Sequence, residues 1–136
     1  MRRFWRLFHK EMIGVVVVDH GSREPESNEA FLRVVKRFAD RVPEMIVEPA
    51  HMSLSSPTIE EAFDKLVQRG ARRVVIHPYF LLPGRHWRED IPALAQKAGQ
   101  KHPSIPWNVT APLGESDHIL DLVAERIEDA LRDGPA

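Results

Sequence analysis

Hydrophobic residues follow two alternating patterns along the chain from residue 12 onward. Residues 12–19 (MIGVVVVD) form a continuous β-branched apolar run, which is typical of a strand covered on both faces. Residues 28–40 place charges on one face and an apolar stripe at helical spacing on the other: Phe31, Val34, Val35 and Phe38. The two patterns recur and predict strands at 45–53, 73–80 and 107–111 and helices at 58–69, 90–101 and 116–132.

Capping residues support two of these helices. Thr58 followed by Glu61 is a capping box, and Gly70 is well placed to end the same helix. Ser116 and Asp117 open the last helix. The order βαβαβαβα predicts an α/β fold, a four-stranded parallel sheet flanked by helices on both faces and joined by right-handed crossovers. Ligands bind such sheets just beyond the carboxyl ends of the strands.

Length and charge limit the classes of function. A chain of 136 residues fits one domain with a real core. Its formal charge of −1 creates no field that attracts nucleic acid, so we expect no nucleic-acid partner. Cysteine is absent, which excludes disulfides and thiolate metal sites, so any metal must use His, Asp or Glu. The absence of disulfides also favours a cytoplasmic location.

The first residues differ from the rest of the chain. They are basic and aromatic (MRRFWRLFHKEM), without the apolar segment or cleavage site of a signal peptide. The longest apolar run, VVVV, is too short to span a bilayer, so no membrane partner is expected. A short amphipathic surface helix, a disordered extension and a start at Met12 all fit residues 1–12. We predict a loosely attached extension there and a single domain over residues 13–136.

The first segment with chemistry follows strand one. Gly21 allows a tight turn after His20, and Ser22 can cap the residues that follow. A turn histidine satisfied by the backbone is the simple interpretation. Because His20 stands at a strand end beside Gly21 and Arg23, we favour a functional role.

The second segment follows strand three and contains His86 between two arginines, Arg85 and Arg88. A polar loop that caps helix three is the alternative, with Asp90 favourable at the positive end of the helix dipole. Both interpretations can hold together, with Asp90 structural and His86 functional.

The third segment, at the end of strand two, is weaker evidence. His51 and Ser53 lie two residues apart and share one strand face, while Glu48 faces the other way. The remaining histidines have plainer interpretations: His77 is predicted to be a hydrogen-bonded structural residue, His9 and His102 to be solvated, and His118 to lie in the first turn of the last helix.

Short motifs in order from Ile13 onward resemble the small class II chelatases, the sirohydrochlorin cobalto- and ferrochelatase group called CbiX/SirB. The motifs are His20-Gly21-Ser22-Arg23, Pro57-Thr58-Ile59-Glu60-Glu61-Ala62, Gly70, Leu81-Leu82-x-Gly84-x-His86-x-x-x-Asp90-Ile91-Pro92 and Pro112-Leu113-Gly114. Each motif is short, but together they cover nearly the whole chain.

The resemblance implies a chelatase fold, a homodimer and insertion of Co²⁺, Fe²⁺ or Ni²⁺ into a carboxylate-rich tetrapyrrole such as sirohydrochlorin, with no organic cofactor. Such a step belongs to siroheme and cobalamin biosynthesis. The two family histidines correspond to His20 and His86. Imidazole suits these metals, and a neutral histidine can also accept a pyrrole proton near pH 7. Near them, arginines can pair with substrate carboxylates, and the expected substrate-binding residues are Ser22, Arg23, Arg85 and Arg88.

Two positions depart from the family pattern. The family usually has a glutamate four residues before the proline that opens helix two, and here that residue is Ser53. His51 on the same strand face is predicted to substitute for it, which gives a three-histidine metal site of His20, His51 and His86. Asp19 stands where the family commonly has a small residue; it can orient His20 or point away into the sheet.

Two other functions remain open at this stage. A phosphoryl-transfer enzyme of the histidine phosphatase type also has a His-Gly turn after its first strand, but the charge of Asp19 would repel an anion. A non-catalytic chelatase relative that carries metal or tetrapyrrole is the stronger alternative, because the usual glutamate is absent.

Overall fold

The fold is seen in a computed structural model that describes residues 11–53 and 55–135. The predicted extension falls mostly on residues 1–10, including His9, and these lie outside the described residues. The strands are β1 (Ile13–Asp19), β2 (Ile46–His51), β3 (Arg73–Pro78) and β4 (Trp107–Val109). The α-helices are α1 (Pro25–Arg41), α2 (Ile59–Gln68), α3 (Ile91–Gly99) and α4 (Asp117–Asp133).

The sheet confirms the predicted α/β architecture. All strand pairs are parallel and the strand order is β2-β1-β3-β4, so the central strands are β1 and β3. Register places Asp19 beside His51 on the neighbouring strand. The carboxyl ends of β1 and β3 therefore lie side by side, which brings the segments that follow them to one edge.

The two faces of the sheet are covered unequally. One face packs against α2 and α3 in a core that includes Phe63, Leu66 and Ile91, each almost fully buried. The other face packs against α1 through Phe31 and Val35, which contact the valines of β1. A helix is about 10 Å wide and strands are about 4.8 Å apart, so a single helix covers about two strands.

Local sequence explains where the helices begin. Thr58 caps α2, since its hydroxyl accepts a hydrogen bond from the Glu61 N–H at 3.2 Å. The expected reciprocal contact differs: the Glu61 carboxylate accepts from the hydroxyls of Ser56 and Thr58. These hydrogen bonds lower the pKa of Glu61. Ser116 caps α4 through the His118 N–H, as the sequence predicts.

The approach to α3 differs from the prediction. A single π-helical turn, His86–Asp90, precedes α3 and runs directly into it. The loop expected to carry His86 is therefore already helical. A π turn is one residue wider than an α turn, and such turns are frequent at functional sites.

Candidate functional site

The site begins at the turn that follows β1. Gly21 adopts φ 86°, and a Cβ at this position would collide with the carbonyl oxygen of Ser53. Glycine is therefore required by conformation and by space. The Asp19 carboxylate accepts a hydrogen bond from the Gly21 N–H at 3.0 Å, which fixes the turn that carries His20.

His20 lies flat against an apolar surface. Its ring stacks on Phe80 with centroids 4.0 Å apart and planes only 6° from parallel. Desolvation by this surface is the largest influence on its pKa, and the neighbouring imidazole of His86 adds to it. Both effects lower the pKa of His20 below its ordinary value of 6.5, against a smaller opposing effect of Asp19. The imidazole is therefore mostly neutral at pH 7, as a metal ligand or a general base must be.

His86 approaches His20 from the π turn after β3. The two rings meet edge to face with centroids 5.3 Å apart, across the carboxyl ends of β1 and β3. Nδ1 of His86 lies 2.7 Å from the Asp90 carboxylate, four residues later in the same turn. This contact leaves Nε2 of His86 for a ligand, since the carboxylate engages the other nitrogen.

Asp90 therefore does more than the sequence indicated. Its side chain makes no capping hydrogen bond to α3 and instead orients the His86 ring. The spacing of four residues between a histidine and an aspartate is the signal that could have revealed this contact.

The structure places His51 differently from His20 and His86. His51 is only 2% exposed, and its Nδ1 lies 2.6 Å from the same Asp19 carboxylate that holds the Gly21 turn. Its ring also contacts Phe31 of α1. Among residues 11–53 and 55–135, no group of three His, Cys, Asp or Glu side chains is placed to hold a metal ion. The structure thus brings together two of the three predicted histidines.

Ser53 lies against the turn that carries His20. Its hydroxyl donates a hydrogen bond to the His20 carbonyl oxygen at 3.2 Å, and its backbone N–H donates to the same oxygen. Ser53, the position at which the small class II chelatases usually have glutamate, is therefore adjacent to His20. Glu48 faces away, as predicted, and forms ion pairs with Lys65 of α2 and with Arg69, which follows the end of that helix.

The predicted substrate-binding residues follow His20 along the chain and flank His86. Ser22 is held by Asn28, whose side chain bonds both its N–H and its carbonyl oxygen. Arg23 follows it and lines an open cavity of about 480 Å³. Arg85 directly precedes the π turn and Arg88 lies within it; both are exposed, and Arg85 pairs with Glu89 at 3.3 Å. Exposed guanidinium groups near His20 and His86 in the chain would suit a ligand rich in carboxylates.

The remaining histidines have structural or surface positions. His77 is hydrogen-bonded to the Thr110 hydroxyl at 2.7 Å, which confirms the prediction, and burial lowers its pKa. The prediction that His102 is solvated is wrong. His102 stacks on Phe63 and contacts the Asp64 carboxylate at 2.7 Å, because the segment after α3 folds back onto α2.

Comparison with known proteins agrees with this geometry. The CbiX family model matches residues 14–130. The sirohydrochlorin ferrochelatase of Arabidopsis thaliana chloroplasts is 48% identical over 118 residues, which are 87% of this chain and 52% of that protein. The sirohydrochlorin cobaltochelatase of Sulfolobus acidocaldarius is 32% identical, over 88% of this chain and 94% of that protein.

Solved structures show the same fold. The sirohydrochlorin chelatase SirB of Bacillus subtilis subspecies spizizenii, in complex with cobalt, superposes with a TM-score of 0.82. It is 27% identical, and the match covers 87% of this chain and 50% of that one. The chain thus spans about half the length of several of these relatives. Among the helices that the structure describes, none has the length and hydropathy needed to cross a membrane.

Proposed function

Because this chain belongs to the CbiX family, we propose that it inserts a divalent metal ion into a sirohydrochlorin-type tetrapyrrole. Co²⁺ is the first metal to test, followed by Fe²⁺ and Ni²⁺. The observation that carries the proposal is the pair of imidazoles, His20 and His86, which meet at the carboxyl ends of β1 and β3. In parallel α/β sheets this edge is where ligands bind.

His20 and His86 are the residues that we expect to hold the incoming metal. Imidazole nitrogen is a good ligand for Co²⁺, Ni²⁺ and Fe²⁺. Two protein ligands hold the ion less tightly than a closed set of four, so the ion can transfer to the four nitrogens of the macrocycle. Asp90 keeps the His86 ring in place during this exchange.

Metal insertion also displaces two protons from the pyrrole nitrogens of the substrate. Once the ion has passed from His20 to the macrocycle, the free ring nitrogen of His20 can accept one of these protons, because its lowered pKa keeps the ring neutral at pH 7, and the other proton passes to water. Arg23, Arg85 and Arg88 would pair with the peripheral carboxylates, with Ser22 as a hydrogen-bonding neighbour.

His51 was predicted as a third metal ligand, and its surroundings favour a positioning role instead. To reach the metal, its ring would have to leave a buried position and give up its contact with Asp19. We therefore assign the metal to His20 and His86. His51 then holds Asp19, and Asp19 holds the turn that carries His20.

Resemblance to the short chelatases also leads us to propose that the chain works as a homodimer. This proposal rests on the resemblance, which implies that one such domain corresponds to half of a longer two-domain chelatase. A second copy would supply a comparable second domain.

The decisive experiment is cobalt insertion into sirohydrochlorin, followed by absorbance, for the wild type and for His20→Ala and His86→Ala. We expect multiple turnovers in the wild type and a loss of about 100-fold or more in each variant. His118→Ala is the matched control, since His118 is exposed on α4, and it should retain full activity. Product limited to one equivalent per chain would indicate a carrier of metal or tetrapyrrole and would contradict the proposal.

A further inference from the structure

The apolar side of α4 has no cover within the part of the chain that the structure describes. All 17 residues of α4 are described, and none of them is buried. Apolar residues nevertheless recur along it at intervals of three and four: Leu120, Val123, Ile127 and Leu131. Ile127 is 56% exposed and Leu131 is 77% exposed. A stripe of this kind on a folded protein marks a contact surface.

A second apolar surface, on the α1 face of the sheet, is left uncovered by residues 11–53 and 55–135. Two adjoining cavities, of about 440 and 460 Å³, share Val15, Phe38 and His77 as lining residues. The floor is formed by β1 and β3, and α1 forms one wall. We call this surface the sheet groove. It exists because α1 is the only described helix that packs on this face, and it covers about half of the sheet.

The helix and the sheet groove match in length. α4 has 17 residues and is therefore about 25 Å long. β1, which forms part of the floor, has 7 residues and spans about 23 Å. A helix of these dimensions can lie along the whole groove.

The two surfaces also match in charge. Asp or Glu occupies six positions of α4 and Arg only two, which gives the helix a negative charge at neutral pH. Arginines occur around the groove: Arg37 and Arg41 line one cavity, and Arg73, which also forms an ion pair with Glu11 at 3.8 Å, lines the other. An acidic helix with an apolar stripe is thus complementary to an apolar groove with basic edges.

We propose that two copies of this chain exchange α4 helices, so that each α4 lies in the sheet groove of the other copy. Each chain presents both surfaces. In a dimer with two-fold symmetry, the helix of each copy therefore covers the groove of the other, which gives two identical contacts. Two such contacts bury about 1,000 Å², near the lower end for specific interfaces before any contact between the domain bodies is added. This inference rests on the homodimer proposed above and states how the two copies are joined.

The absence of cysteine makes a direct test possible. Phe38→Cys, in the groove, and Ile127→Cys, on the helix, are prepared as separate proteins, mixed, allowed to exchange and oxidised. We expect a disulfide-linked dimer of one chain of each kind. The matched control replaces Ile127→Cys with Glu125→Cys, on the polar side of α4, and should yield far less covalent product.

A second measurement follows the mass of the full-length chain in sedimentation. The wild type should sediment at twice 15.6 kDa. Ile127→Glu should weaken dimerisation by about 100-fold while the far-UV spectrum stays unchanged, since a carboxylate in the apolar stripe would lose its water against the valines of the groove floor. If Ile127→Glu still dimerises and the cysteine variants form no mixed disulfide, the chain is a homodimer but its copies do not exchange α4. That result would overturn the inference.

Two other results would also overturn the inference. A chain carrying both Phe38→Cys and Ile127→Cys that closes a disulfide within itself would show that α4 covers its own groove. A disulfide between Phe4→Cys and Phe38→Cys, formed in preference to the helix pair, would assign the groove to residues 1–10. Neither result depends on cobalt insertion, so failure here is distinguishable from failure of the proposed activity.

Discussion

Two histidine–aspartate contacts in this molecule have nearly the same length and opposite surroundings. Nδ1 of His51 lies 2.6 Å from Asp19, and Nδ1 of His86 lies 2.7 Å from Asp90. The His51 side chain is 2% exposed, whereas that of His86 is 54% exposed. Solvent reaches both partners of the second pair, while the His51 ring of the first is enclosed between β1, β2 and α1.

The difference indicates which pair supports the fold and which supports chemistry. A buried polar pair stabilises the surrounding structure only while both partners remain, because either partner alone is left unsatisfied. An exposed pair contributes little to stability, since water can replace each partner. What it does contribute is a fixed ring orientation at a place that a ligand can reach.

The largest expected effect is a loss of stability in His51→Ala, which breaks the buried pair. This substitution removes a buried ring beside Phe31 and leaves Asp19 without one of its partners. We expect the free energy of unfolding to fall by about 2–3 kcal/mol, measured by urea denaturation. His118→Ala, at an exposed position, should change it by about 0.5 kcal/mol or less.

Cobalt titration of the same variant addresses the predicted three-histidine site. If His51 is a positioning residue, the folded variant should lose much less Co²⁺ affinity than His86→Ala does. A loss equal to that of His86→Ala, with stability retained, would restore His51 as a metal ligand.

The second largest expected effect is a slower rate of cobalt insertion in Asp90→Ala, which breaks the exposed pair. His86 would keep its nitrogen atoms and lose its orientation, so we expect cobalt insertion to slow by about 10-fold or more. The melting temperature should stay close to that of the wild type. Glu89→Ala removes a neighbouring carboxylate that pairs with Arg85 and serves as the control. Asp90→Asn keeps a side-chain oxygen for His86 without the charge. Partial recovery of the insertion rate in this variant would show that ring orientation contributes independently of charge.

The placement of His20 and His86 at one edge of the sheet could be predicted from sequence because it needed little long-range information. An apolar β-branched run predicts β1, and the alternation with helices predicts a parallel sheet. Strand order then places the ends of β1 and β3 together, and His20 and His86 follow those ends. No exact register was required for this inference.

The buried pair needed information that sequence patterns do not contain. Asp19 and His51 meet because β1 and β2 pair in one particular register, across 32 positions of chain. His102 was placed wrongly for the same reason, since its partner Asp64 lies 38 positions earlier. Similarly, the stripe on α4 predicts a helix with a contact face and cannot specify the surface that it contacts.

A third effect, of opposite sign, should come from Ser53→Glu. The side chain at this position lies beside His20, where the resembling family has glutamate. A carboxylate there adds negative charge next to His20 and a further proton acceptor, so we expect cobalt insertion to become several-fold faster. Ser53→Gln has the same length without the charge. Equal gains in both variants would attribute the effect to size and contradict this interpretation.

The smallest effect concerns the titration of His20. Burial and the nearby imidazole of His86 lower its pKa below 6.5 in the folded protein. An unfolded chain takes up this proton at about 6.5, and the folded chain takes it up at lower pH. As pH falls through 6.5, the unfolded state therefore binds more protons than the folded state. The contribution of His20 to stability is consequently present above 6.5 and is lost as pH falls towards its folded pKa.

Proton NMR can follow the His20 ring directly through its Cε1 hydrogen. In the wild type the midpoint should lie below 6.5, and His86→Ala should raise it, because one of the two lowering influences is removed. Phe80→Ala should raise it as well, since it removes the stacked surface that desolvates the ring. His118→Ala should leave the midpoint unchanged. An unchanged midpoint in His86→Ala would show that the two rings are too far apart in solution to sense each other's charge, and would weaken the case for a shared metal.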